Sequence, residues 1–258
     1  KGLSFIGEEK MGKDMIQVLN DYNKAWSKKI VNFQLQKRIF GVEVAVGAFF
    51  NGNEFIFPIC VNFEHKRLFP GDLGPLTGEM GTSMFWSSPN KLFENTLKKM
   101  QTKLAEEEYV GYIDINCIVN NHGIYPLEWT TRFGYPIIAM QTEGILNPLG
   151  EFLYGLAEGK NFKLKTKSGF HICVMIVVPP FPFKDKETFN VKSKDSIVFF
   201  KNDNREGICI GDLKLVEGEW LVSGEQGGVV IVCGIGPTMR QAQQQVYCRI
   251  KNINVPNM

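Results

Sequence analysis

Two runs rich in Val, Ile, Phe and Ala, 42-VEVAVGAFF-50 and 54-EFIFPICVNF-63, are separated by Asn51-Gly52-Asn53. Asparagine and glycine accept positive φ at little cost, so such a triplet between two β-prone runs dictates a hairpin. A hairpin this apolar cannot stand alone in water. It needs further strands and covering helices, and 258 residues, 44% of them hydrophobic, can supply a core of that size.

The rest of the chain reads as those partners. Residues 11–26 form a helical pattern with Met15, Val18, Leu19 and Tyr22 on one stripe. Ser88-Pro89 opens a second helix, with Phe93, Leu97, Met100 and Leu104 on its apolar face. A second hairpin reads 111-GYIDINCIV-119, then NNHG, then 124-IYPLEW-129. Another helix starts at Asn147-Pro148, shows Leu149, Phe152, Leu153 and Leu156, and closes at Gly159. The polar, basic stretch 160-KNFKLKTKSG-169 is the best boundary candidate. Beyond it, residues 170–183, 195–200, 207–213 and 229–235 read as strands. A last helix runs from Thr238 with Met239, Ala242, Val246 and Ile250 inward. The expected class is α+β, a sheet with helices followed by a smaller β-rich unit.

Charge narrows the partners. Twenty-nine Lys and Arg stand against 27 acids, for a net charge of +2, and no run of five like charges occurs. That balance argues against nucleic acid, while a small anion needs only a few local cations. The six cysteines show no C-x-x-C spacing, and four lie in apolar runs, so they read as reduced thiols rather than a disulfide or zinc framework. No segment reaches the roughly 18 apolar residues of a membrane span and no signal peptide opens the chain, so a cytoplasmic protein with no membrane partner is expected.

Several residues could carry chemistry. Asp114 lies in an otherwise largely apolar strand and Glu128 in its hairpin partner. Two carboxylates on adjacent strands suit Mg²⁺ when phosphates complete the coordination. They also suit plain ion pairs at a sheet edge. A three- or five-residue turn would set Asp114 opposite Glu128 or Thr130, and a four-residue turn would not. Arg132 could clamp a phosphate or carboxylate through its fork, or form a surface salt bridge, and Lys66 and Arg67 face the same choice. His122 reads as solvated in a turn and His171 as packed in a strand. No nucleophile–histidine pairing stands out. Residues 64–82, EHKRLFPGDLGPLTGEMGT, carry four glycines and read as a loop. Such density means either a floppy connector or a backbone pressed closely against something.

At this point the motifs resemble a known family. The run 64-EHKRLFPGDLGPLTGEMG-81 is similar to the D-H-K-R … G-D-x-G-P-N-T-G-G-M-G stretch of the glycinamide ribonucleotide synthetase (phosphoribosylamine–glycine ligase) family, within the ATP-grasp superfamily. The run 127-LEWTTRFGYP-136 resembles its E-F-N-x-R-F-G-D-P segment, and 41-GVEVAVGAFFNG-52 its G-x-E-x-S-V … D-G. Residues 223–247 resemble a segment of its C-terminal domain. The matches keep the family's order and cover most of the chain.

The resemblance implies a partial ATP-grasp unit over 1–160, lacking its N-terminal part, and a β-rich C-terminal domain over 161–258. It therefore implies a fragment or trimmed chain. It implies ATP and Mg²⁺ as cofactors, with glycine or another carboxylate and an amine such as phosphoribosylamine as substrates, joined through an acyl phosphate in purine biosynthesis. Gln36, Lys37, Arg38 and Ile39 fall on the hinge that contacts adenine, and Glu43 on the acid that holds the ribose. Asp114, Glu128 and Thr130 fall on metal-ligand positions, Thr130 standing where asparagine is usual. Arg132, with Lys66 or Arg67, falls on the anion-steadying positions. Leu76, Glu79 and Tyr135 depart from the pattern, replacing asparagine, glycine and aspartate. A nucleotide-binding paralogue with another substrate or lost catalysis, or a fragment inactive alone, is the alternative.

Overall fold

The computed structural model describes residues 5–25, 28 and 32–258, in two compact units, Lys1–Gly41 and Val42–Met258. In the first unit helix α1 (Lys13–Ala25) precedes residues 32–40, an irregular segment in which the Arg38 guanidinium stacks on Phe40, 4.7 Å from the ring centroid.

The second unit is built on antiparallel strands. β1 (Val42–Asn51) and β2 (Phe55–Phe69) pair as the Asn-Gly-Asn turn demands, with Gly52 at φ 94° and Phe50 opposite Phe55. β3 (Leu73–Ser87) follows, then α2 (Lys91–Asn95), a 3-10 turn (Leu97–Met100) and α3 (Gln101–Glu106). Asn90, just after Pro89, caps α2 by accepting from the Phe93 N–H. Next come β4 (Val110–Asn120), β5 (Gly123–Thr130), α4 (Ile137–Gly144), α5 (Leu149–Ala157) and β6 (Phe170–Val177). The chain continues through α6 (Lys186–Lys192), β7 (Ile197–Phe200), β8 (Ile208–Ile210), β9 (Leu213–Val216), β10 (Glu219–Val222), β11 (Gly228–Gly236), α7 (Met239–Ile250) and β12 (Ile253–Asn254).

Eight strands form one sheet in the order β5-β4-β1-β2-β3-β6-β11-β8, and a smaller sheet runs β12-β7-β10-β9. The mixed α and β content agrees with the class expected from the sequence. The basic stretch after residue 160 does not interrupt the main sheet, because β3 pairs with β6 from Gly81↔Val174 to Phe85↔Phe170.

The glycine-dense stretch is not a loop. Residues 64–69 extend β2 and 73–82 belong to β3, so that only Pro70, Gly71 and Asp72 make the turn. Two glycines explain the composition. Gly74 has φ 80°, which a side chain resists. At Gly81 a Cβ would lie 2.5 Å from the Cys173 carbonyl oxygen, so the backbone is pressed against β6. The last helix also corrects one expectation. Ala242 and Val246 are fully buried, but Met239 in its first turn is 39% exposed.

Side-chain alternation divides the sheet. Val44, Val46, Ala48 and Phe50 face one way and pack with Phe93, Leu97 and Leu104 of α2 to α3. The opposite face is covered at two places. Phe49 and Tyr112 meet Phe152 and Leu156 of α5, with the Phe49 and Phe152 rings edge to face at 4.9 Å. Cys60 and Met84 meet Ile137 and Met140 of α4. The polar residues gather beyond these two covers.

Candidate functional site

Strand register decides which polar side chains share this second face. The β4–β5 turn has only two residues, Asn121 and His122, since Asn120 pairs with Gly123. A bulge at Leu127 then adds one residue, so Asn116 opposes Glu128 and Asp114 opposes Thr130. All four side chains therefore point to one face, together with Glu43, which lies two residues before Ala45, the β1 partner of Asn116. On β2, Asn62 opposes Ala45 and Glu64 lies two residues on.

The contacts join these groups. Asn116 donates through Nδ2 to Glu43 Oε1 at 2.7 Å, and Lys66 donates through Nζ to the same oxygen at 2.5 Å. Lys66 also lies 3.1 Å from Glu64 Oε2. Burial works against the lysine charge, but the hydrogen bond from Lys66 to Glu43 and the Glu64 charge outweigh it and hold its pKa above the ordinary value. Asn62 Nδ2 donates to Asp114 Oδ2 at 3.1 Å. Burial pushes the Asp114 carboxyl up to about 6, opposed by that hydrogen bond and reinforced by the Glu64 charge.

Glu79 enters from a bulge. His65 pairs with Gly81 and Arg67 with Leu76, so one β2 residue, Lys66, faces four β3 residues, Thr77 to Met80. Thr77 fastens the bulge by donating its hydroxyl to the Lys66 carbonyl at 2.8 Å. Burial, then the Glu64 charge, pushes the Glu79 carboxyl up to about 9, against the pull of Lys66 and Arg132.

Arg132 follows β5, donates to the Phe133 carbonyl at 2.9 Å, and is close enough to Asp114 and Glu79 to draw both pKa values down. Arg67 is placed differently from its neighbour, its Nη1 donating at 2.8 Å to the Gly74 carbonyl and bracing the hairpin tip. Gln36, Lys37, Arg38 and Ile39 lie in the irregular segment of the first unit, the first three of them exposed. Sequence reasoning passed over Asn62, Glu64 and Asn116. Their signal was polar side chains at alternate positions inside apolar strands, in CVNFE and DIN.

Hard oxygen donors dominate this face, and two of them lack protein partners. Asn116 is 4% exposed and its Oδ1 is sealed from solvent with no hydrogen bond, as is Glu79 Oε1. An unsatisfied buried oxygen costs about 1–3 kcal/mol. Such oxygens beside ionisable carboxyls fit a bound magnesium ion better than a sulfur- or imidazole-based metal. Among the described residues, however, no three His, Cys, Asp or Glu side chains converge on one point, so a cation here would need ligands from its substrate.

The profile of the phosphoribosylglycinamide synthetase ATP-grasp (A) domain matches residues 8–137. The phosphoribosylamine–glycine ligase of Thermotoga maritima is 29% identical over 224 residues, covering 80% of this chain and 50% of that protein. The Clostridium acetobutylicum phosphoribosylamine–glycine ligase is 24% identical over 268 residues, covering 98% of this chain and 60% of the relative. The crystal structure of the Thermotoga maritima ligase superposes with a TM-score of 0.66 at 22% identity, covering 95% of this chain and 62% of that one, a likeness of fold. The chain thus spans half to three-fifths of the length of the curated relatives described.

Proposed function

The chain belongs to the phosphoribosylglycinamide synthetase ATP-grasp (A) domain family, and from that premise we propose that it contributes to an ATP-dependent carboxylate–amine ligase of the phosphoribosylamine–glycine ligase type. In this reading ATP phosphorylates a carboxylate such as glycine. An amine such as phosphoribosylamine then attacks the acyl phosphate and displaces phosphate.

The observation that carries the reading is the single sheet face on which Asp114, Asn116, Glu128, Thr130 and Glu43 lie together, beside Lys66 and Arg132. Asp114, Glu128 and Thr130 would hold Mg²⁺, whose chemistry when bound is to neutralise the phosphate oxygens. Arg132 steadies the anionic carboxylate or acyl phosphate, since its guanidinium offers parallel N–H donors and keeps its charge. Lys66 keeps its proton, being paired with two acids, and serves as a fixed positive charge on the same face. Glu43 contacts the ribose, as the resemblance implies.

Magnesium-dependent ADP formation tests the proposal, with glycine and other amino acids offered as the carboxylate. Stimulation by a carboxylate in the wild type, and its loss in Glu128→Gln, is the expected result. If no carboxylate stimulates ADP formation and Glu128→Gln behaves like the wild type, the ligase reading is wrong.

A further inference from the structure

We propose that the cleft between α2 and the β4–β5 turn is a second binding site, which takes a small organic phosphate: a doubly charged headgroup on an uncharged body. Val44 and Val61 line it, so it lies on the sheet face that packs on α2. Glu43, Asp114 and Glu128 point to the opposite face. The site is therefore distinct from the one read as a ligase centre and does not rest on that reading.

The cleft has a volume of about 640 Å³, inside the range of about 300–1,000 Å³ that small-molecule sites occupy. Val44, Val61, Val119 and Ile124 give it an apolar floor, and polar side chains surround that floor. Both walls are braced. Asn120 Oδ1 accepts from the His122 N–H at 2.8 Å and from the Gly123 N–H at 3.2 Å, which fixes the turn. On the other wall Asn90 Oδ1 accepts from the Phe93 N–H at 3.1 Å, and Asn95 Nδ2 donates to the Lys91 carbonyl at 2.8 Å. These bonds leave the Asn90 amide as a donor and the Asn95 side-chain oxygen as an acceptor for a ligand.

Charge selects the ligand class. Lys91, Lys99 and His122 line the cleft, all three exposed, and among the described residues no acid does. Neighbouring lysines are engaged, Lys98 donating to Gln101 at 2.7 Å and Lys103 lying 2.8 Å from Glu107. The Lys91 and Lys99 ammonium groups have no such partner among the described residues. Two uncompensated ammonium charges beside one apolar floor suit a dianion. A phosphate monoester carries close to two negative charges at neutral pH, and lysine meets phosphate as a point charge. A carboxylate would neutralise one lysine and leave the other, while inorganic phosphate would leave the floor uncovered.

Nitrogen–proton NMR titration of the isotope-labelled chain at pH 7.5, without nucleotide or magnesium, tests the site. The probes are phenyl phosphate, benzoate, inorganic phosphate and phenol. Phenyl phosphate should bind most tightly, shifting backbone amides of residues 91–99 and 119–124 and leaving those of 128–132 in place. Added salt should weaken it. Lys91→Ala and Lys99→Ala should each lower its affinity by about threefold or more, and Lys103→Ala, outside the cleft, should not. The amide spectra show whether each variant keeps its fold, and Lys91→Gln and Lys99→Gln replace any alanine variant that does not. The proposal is overturned if phenyl phosphate leaves the cleft amides unmoved, if another probe binds as tightly, or if the lysine variants bind like the wild type. Shifts at residues 128–132 in place of the cleft also overturn it, because they put the phosphate on the opposite face. With neither ATP nor magnesium present, the outcome is independent of ADP formation, which decides the ligase reading.

Discussion

Asn62 on β2 and Asp114 on β4 are hydrogen-bonded at 3.1 Å across the strand between them, and Gly47 of that strand makes the meeting possible. A Cβ at Gly47 would stand 2.8 Å from Asp114 Oδ2 and collide with the Tyr112 hydroxyl. That hydroxyl is itself 3.4 Å from the same carboxylate oxygen. One missing methyl group therefore lets three polar side chains share a buried spot.

Gly47→Ala should accordingly destabilise the chain by about 1–3 kcal/mol, as overpacking of a tight interior does. It should also separate Asp114 from Asn62. Urea denaturation of wild type and variant checks the first effect. Equal midpoints and slopes would show that the neighbours relax freely and that the close approach is unimportant.

Asp114 makes a prediction about pH. Its folded pKa of about 6 stands above the value of about 3.9 for an unfolded aspartate. Between these values the folded chain still holds a proton that the unfolded chain has released. Stability contributed by this group is therefore lost as pH rises from about 4 to 6, and stays lost above. Asp114→Asn removes the dependence and should stabilise the chain at pH 8 relative to pH 4, by on the order of 2–3 kcal/mol at most. Urea midpoints at pH 4, 6 and 8 would expose the difference, and parallel profiles would rule out a buried, neutralised carboxyl.

Much of this framework could be read from the sequence, and the failures share a cause. The first hairpin and the α2 to α3 face were legible because Asn-Gly-Asn and the spacing of Phe93, Leu97 and Leu104 are local signals. Helix α4 was not, because Ile137, Ile138, Ala139 and Met140 have no polar side to set a period, and the helix contributes Ile137 and Met140 to a buried core. Candidate acids were found one by one, but their common face depends on the extra residue at Leu127. The place of Glu79 depends likewise on the β3 bulge. A bulge is settled by pairing between distant strands and leaves little trace in the segment that carries it.

His171 has the opposite pH behaviour. It is fully buried on β6, and its Nε2 lies 3.2 Å from the Lys167 carbonyl, which makes that nitrogen the protonated one. Nδ1 has no partner. Burial lowers its pKa, opposed by the Lys167 carbonyl. The unfolded chain therefore takes up a proton at a pH where the folded chain resists it. Stability from this group should fall as pH drops through about 6.5 toward the folded value. Since Asp114 acts in the reverse direction over part of this range, the comparison must be with His171→Gln rather than within one curve. The variant should lose less stability than wild type between pH 7 and 5 in urea titrations, and an equal loss would mean that His171 protonates as freely as in water.

Arg249 ties α7 to α4, and its removal should be costly in a way that can be apportioned. Its Nη1 donates to Glu143 Oε1 at 2.9 Å and to the Cys233 carbonyl at 2.6 Å, while Nη2 lies 3.1 Å from Glu206. The Arg249 and Glu143 side chains are only 14% and 11% exposed. Truncating one member leaves the other charge buried and unpaired, a loss of about 3–5 kcal/mol. Arg249→Met should therefore destabilise strongly, with Glu143→Gln doing less because an amide can still accept from the arginine. The double variant should be more stable than the sum of the two losses predicts, since no stranded carboxylate remains. Additive losses in a double-mutant cycle measured by urea denaturation would show instead that Arg249 acts mainly through the Cys233 carbonyl and Glu206.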